Sequence, residues 1–132
     1  MQDAQARARL AGLDHDLIEQ RVREVIHLRM TGRRSEADAF YGPGFVFEAV
    51  GPGCLRPWTG RFDSPEAMAQ MRRDLMVEFE LIDHAILDLA VTGEICLVRR
   101  RATYRNRGMG RPETFDIWER YRFADGLIVE IT

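Results

Sequence analysis

The chain has 132 residues, 45% hydrophobic and 30% charged, with a formal net charge of -2. Those totals describe one folded domain spanning residues 1–132 and exclude a disordered or collagen-like chain. They give no global field for nucleic acid or an anionic membrane. All 19 basic residues are Arg, which removes lysine Schiff-base chemistry.

The first ten residues lack the apolar core of a signal peptide, and no apolar run approaches a membrane span, so a cytoplasmic location is expected. Residues Gln2 to Gly12 read as a short helix or frayed arm. A firm helix is expected from Asp14 or Asp16 to Thr31, with Asp16 and Glu19 at capping-box spacing and Gly32 as the stop. Ile18, Val22, Val25 and Ile26 form its apolar stripe, and Arg29 falls on the same stripe. Its stem is expected to pack while its head reaches the edge.

Ser35 is expected to start a short helix ending at Tyr41, before a Gly42-Pro43-Gly44 turn. Phe45 to Val50 reads as a strand with Val46, Glu48 and Val50 on one side. Ser64-Pro65 is a strong helix start, and that helix is expected to reach Met76 with Ala67, Met68, Met71 and Leu75 inward. Four strands follow: Phe79 to Ala90, Glu94 to Arg105, Glu113 to Ala124 and Leu127 to Ile131. Their connections carry the Gly, Asn and Asp that tight turns need. The expected class is α+β, about three helices followed by a curved, mostly antiparallel sheet. Cys54 and Cys96 have no metal or redox spacing and are read as reduced structural thiols.

The strongest chemical signal lies in Phe115 to Phe123. Alternation puts Phe115, Ile117, Glu119, Tyr121 and Phe123 on one face and Asp116, Trp118, Arg120 and Arg122 on the other. A carboxylate among such neighbours is paired, protonated or used for chemistry, because an isolated buried charge is costly. Two readings stand: Glu119 is an acid kept neutral by its apolar setting, or it is ionised by an Arg of the Arg99-Arg100-Arg101 run across the hairpin. His84, on a face expected to include Ile82 and Ile86, is a candidate pocket residue. The run Arg99 to Arg111 lacks aromatic stacking partners and reads as a solvated or dimer surface rather than a nucleic-acid site.

Three stretches carry a family resemblance: G-R-R-S-E-A-D-A-F-Y after the first helix, F-V-F-E-A-V-G-P-G followed by W-T-G, and D-I-W-E-R-Y-R-F-A-D-G-L-I. With the order of elements they resemble the SnoaL-like, ketosteroid-isomerase-like group of the nuclear transport factor 2-like superfamily, over residues 14–132. The resemblance implies a cone-shaped sheet wrapped around the helices and a homodimer through the sheet's outer face. It implies no cofactor or metal, and a small apolar carbonyl-bearing molecule as ligand.

By that resemblance Glu48 falls on the isomerases' general-base Asp, and Glu119 on the Asp that stays protonated and donates to the enolate oxygen. The isomerases' first-helix Tyr corresponds to Val25, a departure that counts against steroid isomerisation. Arg100 would share the face of Cys96, Val98, Ala102 and Tyr104, where it could hold Glu119 ionised. Glu48 and Glu119 are therefore the candidate catalytic residues, with His84, Arg100, Trp58 and Tyr104 shaping or polarising the pocket. The expected activity is isomerase-, dehydratase- or polyketide-cyclase-like. The alternatives are a non-catalytic binding or dimerisation module and, lower, an epoxide-hydrolase-like reaction, which needs an Asp-Arg-Asp arrangement around a water.

Overall fold

A computed structural model describes the backbone at residues 2–51 and 58–132, with side chains from His15 onward within those limits. The helices are α1 (Gln2–Met30), α2 (Arg34–Asp38) and α3 (Pro65–Glu78). The strands are β1 (Tyr41–Ala49), β2 (Gly60–Phe62), β3 (Phe79–Thr92), β4 (Ile95–Asn106), β5 (Pro112–Ala124) and β6 (Leu127–Ile131). They form one curved, unclosed sheet in the order β2-β1-β6-β5-β4-β3, antiparallel except where β1 and β6 run parallel.

Local chemistry explains most of these boundaries. Ser64 accepts a hydrogen bond from the Ala67 N–H at 3.0 Å, and Pro65 follows in the first turn of α3, where a missing N–H costs nothing. Asp125 and Gly126 both take positive φ, 51° and 79°, the two-residue turn that matches the twist of β5 and β6. Helix α1 is longer than the sequence suggests, so Asp16 and Glu19 sit inside it rather than at its start. Strand β1 begins at Tyr41, four residues before Phe45, and absorbs the Gly-Pro-Gly segment as a register irregularity between Tyr41 and Val46.

The core is one cluster in which the α1 stripe, Ile18, Val22, Val25, Ile26 and Leu28, packs on the concave face of the sheet. From the sheet come Tyr41, Phe45, Phe47, Cys96, Val98, Tyr121, Phe123, Ile128 and Ile131. Cys96 is fully buried and free, and burial pushes its thiol up to about 12, so it is inert. Cys54 lies outside the described residues. Among the described residues no helix is long and apolar enough to cross a membrane.

Candidate functional site

Strands β4 and β5 pair with Val98 opposite Glu119 and Arg100 opposite Ile117. Arg100 and Glu119 are thus diagonal neighbours on the concave face, within reach of long side chains. Both side chains are 5% exposed, and they meet as a two-pronged pair: Nε to Oε1 at 2.6 Å and Nη2 to Oε2 at 3.2 Å. Arg29 arrives from the last turn of α1, its Nη1 at 3.2 Å from Oε2. The Tyr121 hydroxyl accepts from the same Arg29 nitrogen at 2.6 Å and donates to Oε1 at 2.8 Å. Each oxygen of Glu119 therefore accepts two hydrogen bonds, which fills the acceptor capacity of a carboxylate.

The protonation states follow from this packing. Burial alone would raise the Glu119 pKa, but the Arg29 and Arg100 charges and the bonds from Arg100 and Tyr121 outweigh it and bring it down to about 2. Burial pushes the Tyr121 phenol well above its ordinary value, so it stays protonated and can donate. Glu119 has neither a proton to give at neutral pH nor a free lone pair with which to take one. The ion-paired alternative is the arrangement present, and the neutral acid expected from the resemblance is not.

The second candidate carboxylate is elsewhere. Phe45 and Phe47 of β1 are buried, 2% and 7% exposed, so alternation turns Glu48 to the convex face. There it is paired in register with Arg61, whose side chain is exposed. Glu48 and Glu119 lie on opposite faces of one sheet and do not form a dyad.

The other candidates lie along the concave face. His84 is opposite Ala102 on β3, next to the Ile86–Arg100 pair. Its Nε2 is buried and has no hydrogen-bond partner among the described residues. Burial first, and then the Arg100 charge, depress the His84 pKa to about 4, so the imidazole is neutral at pH 7. Ile82, expected beside His84, is instead 43% exposed, because a bulge between Leu81 and Asp83 makes it the extra residue. Trp58 meets Phe79 edge-on at 5.2 Å, and Tyr104 lies 6.3 Å from Phe115 and beside Arg72, as partly buried walls of the cone.

Two arginines of this cluster were not among the candidate site residues, although a pocket role for Arg29 was the alternative to its reaching the edge. The head of Arg29, expected at the edge, is inside with a side-chain exposure of 9%, its guanidinium 5.7 Å over the Phe47 ring. Arg72 points inward from α3, its Nη2 3.8 Å from the Met30 sulfur, which Arg100 Nη1 approaches at 3.6 Å from the other side. The sequence signal was there: Arg29 follows Val25, and Arg72 follows Met68, by four residues, one turn along each buried stripe. Among the described residues no His, Cys, Asp and Glu cluster has metal-binding geometry. Two surface hollows, of about 280 and 380 Å³, lie around Leu17 and Arg21, away from this cluster.

Comparison with known proteins agrees with this architecture. Residues 22–131 match the family model of the SnoaL-like domain. A nuclear transport factor 2-like protein from Burkholderia thailandensis superposes with a TM-score of 0.76 at 16% identity, covering 86% of each chain. An LEH-like epoxide hydrolase from Mycobacterium tuberculosis gives 0.69 at 16% identity, covering 89% of this chain and 81% of its own. A Jannaschia protein provisionally named a SnoaL-like polyketide cyclase gives 0.75 at 16%, covering 89% and 83%. No protein of curated function matches the sequence. At these identities the solved structures establish the nuclear transport factor 2-like fold alone, while the family match spans most of the chain: the protein belongs to the SnoaL-like domain family.

Proposed function

We propose that the protein binds a small carbonyl-bearing molecule in the cone and moves a proton on it, and that His84 carries the proton. The activity is isomerase-, dehydratase- or cyclase-like. One observation carries this reading: Glu119 is hydrogen-bonded to capacity, while the neutral His84 on the same concave face has no partner for its buried Nε2 among the described residues. Abstraction of a proton next to a carbonyl needs an unprotonated base and a donor for the oxygen that gains charge. His84 is the base. Arg100, with Nε and Nη2 held by Glu119, keeps its third nitrogen facing only the Met30 sulfur and is the donor. Glu119 is then a positioning residue that fixes Arg100, and Trp58 and Tyr104 are walls. An epoxide-hydrolase-like reaction is disfavoured, since Arg100 pairs with no second carboxylate among the described residues.

Proton exchange tests this reading. In D2O, a panel of aryl ketones and β-keto esters is followed by proton NMR for loss of the signal next to the carbonyl. Exchange is expected with the native protein and a loss of about a hundredfold or more in His84→Asn, with the circular dichroism spectrum unchanged. Exchange that survives His84→Asn defeats the assignment. Absence of exchange across the panel favours the non-catalytic binding module.

The same reading includes a homodimer through the convex face. Trp118 is 72% and Leu97 46% exposed there, and the Arg99 guanidinium lies 5.7 Å over the Trp118 ring.

A further inference from the structure

The interior is unevenly charged. Arg29, Arg72 and Arg100 come together from α1, α3 and β4, and Glu119 is the one carboxylate among the described residues paired with any of them. Arg29 and Arg100 share Glu119. Among the described residues Arg72 has only a sulfur contact with Met30 and the neighbouring Tyr104 hydroxyl. A half-buried guanidinium beside two others, with no carboxylate partner among the described residues, is an unfavourable arrangement in the free protein. An anion seated there relieves it.

The surroundings define which anion. Ile86 and Ile117 flank Arg100 in register, Phe115 lies diagonal to it on the concave face, and Phe79, further along β3, packs on Trp58. A bare inorganic anion gains nothing from these side chains, whereas an apolar body buries surface against them. The planar fork of Arg72 suits a carboxylate held by two parallel hydrogen bonds. Resting on the proton-transfer reading above, we infer that the molecule taken by this cone carries a carboxylate on an apolar body, and that the carboxylate docks on Arg72 with His84 Nε2 in reach.

This docking has a consequence for His84. The groups facing it are Arg29, Arg72 and Arg100, which oppose its protonation, and Glu119, which favours it; the Tyr121 phenol, pushed up by burial, stays neutral. A bound carboxylate offsets the surplus positive charge and makes the imidazole a stronger base when substrate is present. The free protein holds a weak base, and the anion brings it closer to working strength.

Phenylacetate and its neutral isostere phenylacetamide separate these ideas. Calorimetric titration is expected to show saturable binding of phenylacetate and at least tenfold weaker binding of phenylacetamide. Arg72→Gln is expected to abolish the difference, and Arg72→Lys, which keeps the charge, to restore part of it, so that loss of binding is told apart from loss of fold. In the phenylacetate complex the His84 ring carbons, followed by NMR, are expected to titrate at higher pH than in the free protein. Equal binding of the two probes, phenylacetate binding indifferent to Arg72→Gln, an unmoved His84 titration, or no saturable binding each overturns the inference. The exchange assay is also run with a carboxylate-bearing ketone, 3-benzoylpropionate. No exchange of it or of the neutral ketones sinks the proton-transfer reading, whereas exchange of the neutral ketones with no gain for 3-benzoylpropionate overturns the carboxylate inference alone.

Discussion

At Glu119 the question is what a buried carboxylate is for when every acceptor position is filled. Taking two guanidiniums and a carboxylate out of water costs several kcal/mol per ion, and only their mutual geometry offsets it. Removing the negative partner should therefore be costly. Glu119→Gln is expected to destabilise the fold by about 3 kcal/mol or more, a fall in Tm of roughly 10 °C, because Arg29 and Arg100 stay buried with one amide oxygen between them. A thermal scan showing no change would mean the guanidiniums find water instead. Acid should have a related effect. The folded pKa of Glu119, about 2, lies below its ordinary 4.5, so its contribution is complete above about 4.5 and is lost as the pH falls toward 2. His84 acts in the same direction and earlier, since it titrates at about 4 rather than 6.5. Between those values the unfolded chain takes up a proton that the native state refuses, so stability drops as pH falls through that window. Urea midpoints measured from pH 7 to pH 3 are expected to decline already above pH 4.5, and His84→Ala is expected to flatten that upper part of the decline. A midpoint constant down to pH 4.5 would contradict the neutral, buried imidazole.

At the scale of elements, what could be read in the sequence was what depends on strict periodicity. Period two sorted β5 correctly: Glu119 and Tyr121 are buried, while Asp116, Trp118, Arg120 and Arg122 face solvent. The Ser64-Pro65 start of α3 rests on one hydrogen bond and was equally legible. Ser64→Ala is expected to cost about 1 kcal/mol, measurable as a shift in the denaturant midpoint without loss of ligand binding. Periodicity failed wherever an irregularity resets it. The two bulges in β3, between Leu81 and Asp83 and between Ile86 and Asp88, turn Ile82 outward while keeping His84 and Ile86 inward, and no residue type there announces them. For Glu48 the resemblance pointed to the pocket, yet the alternation of Phe45 and Phe47 already argued that Glu48 faces the other way. Physical patterning was the better guide at that position. Arg29 and Arg72 show the opposite limit: a charge on an apolar stripe was visible, but its partners, Glu119 90 residues from Arg29 and Met30 42 residues from Arg72, become apparent only when helices and sheet are packed together.

For the whole molecule, one sheet serves two purposes because its faces differ in chemistry. The concave face is apolar with a charged centre. The convex face pairs Arg99 with Asp88, Arg101 with Asp116, and Arg120 and Arg122 with Glu130, around the exposed Trp118 and Leu97. A patch of mixed sign with an aromatic centre is self-complementary under two-fold rotation, since each Arg of one copy can meet an acid of the other while the tryptophans bury together. The proposed dimer is therefore expected to sediment at twice the 15.2 kDa chain mass. Trp118→Asp places a charge at the centre of that patch and should give a monomer with an unchanged circular dichroism spectrum, because the side chain touches nothing in the concave core. A native protein that sediments as a monomer at tens of micromolar rejects the dimer outright. A dimer unaffected by Trp118→Asp would move the interface to another surface. Because Trp118 and Glu119 are consecutive on β5 and point opposite ways, the monomeric variant also asks whether the Arg100–Glu119 pair needs a partner copy behind it. Retention of the phenylacetate affinity in that monomer would show that the concave site is assembled within one chain.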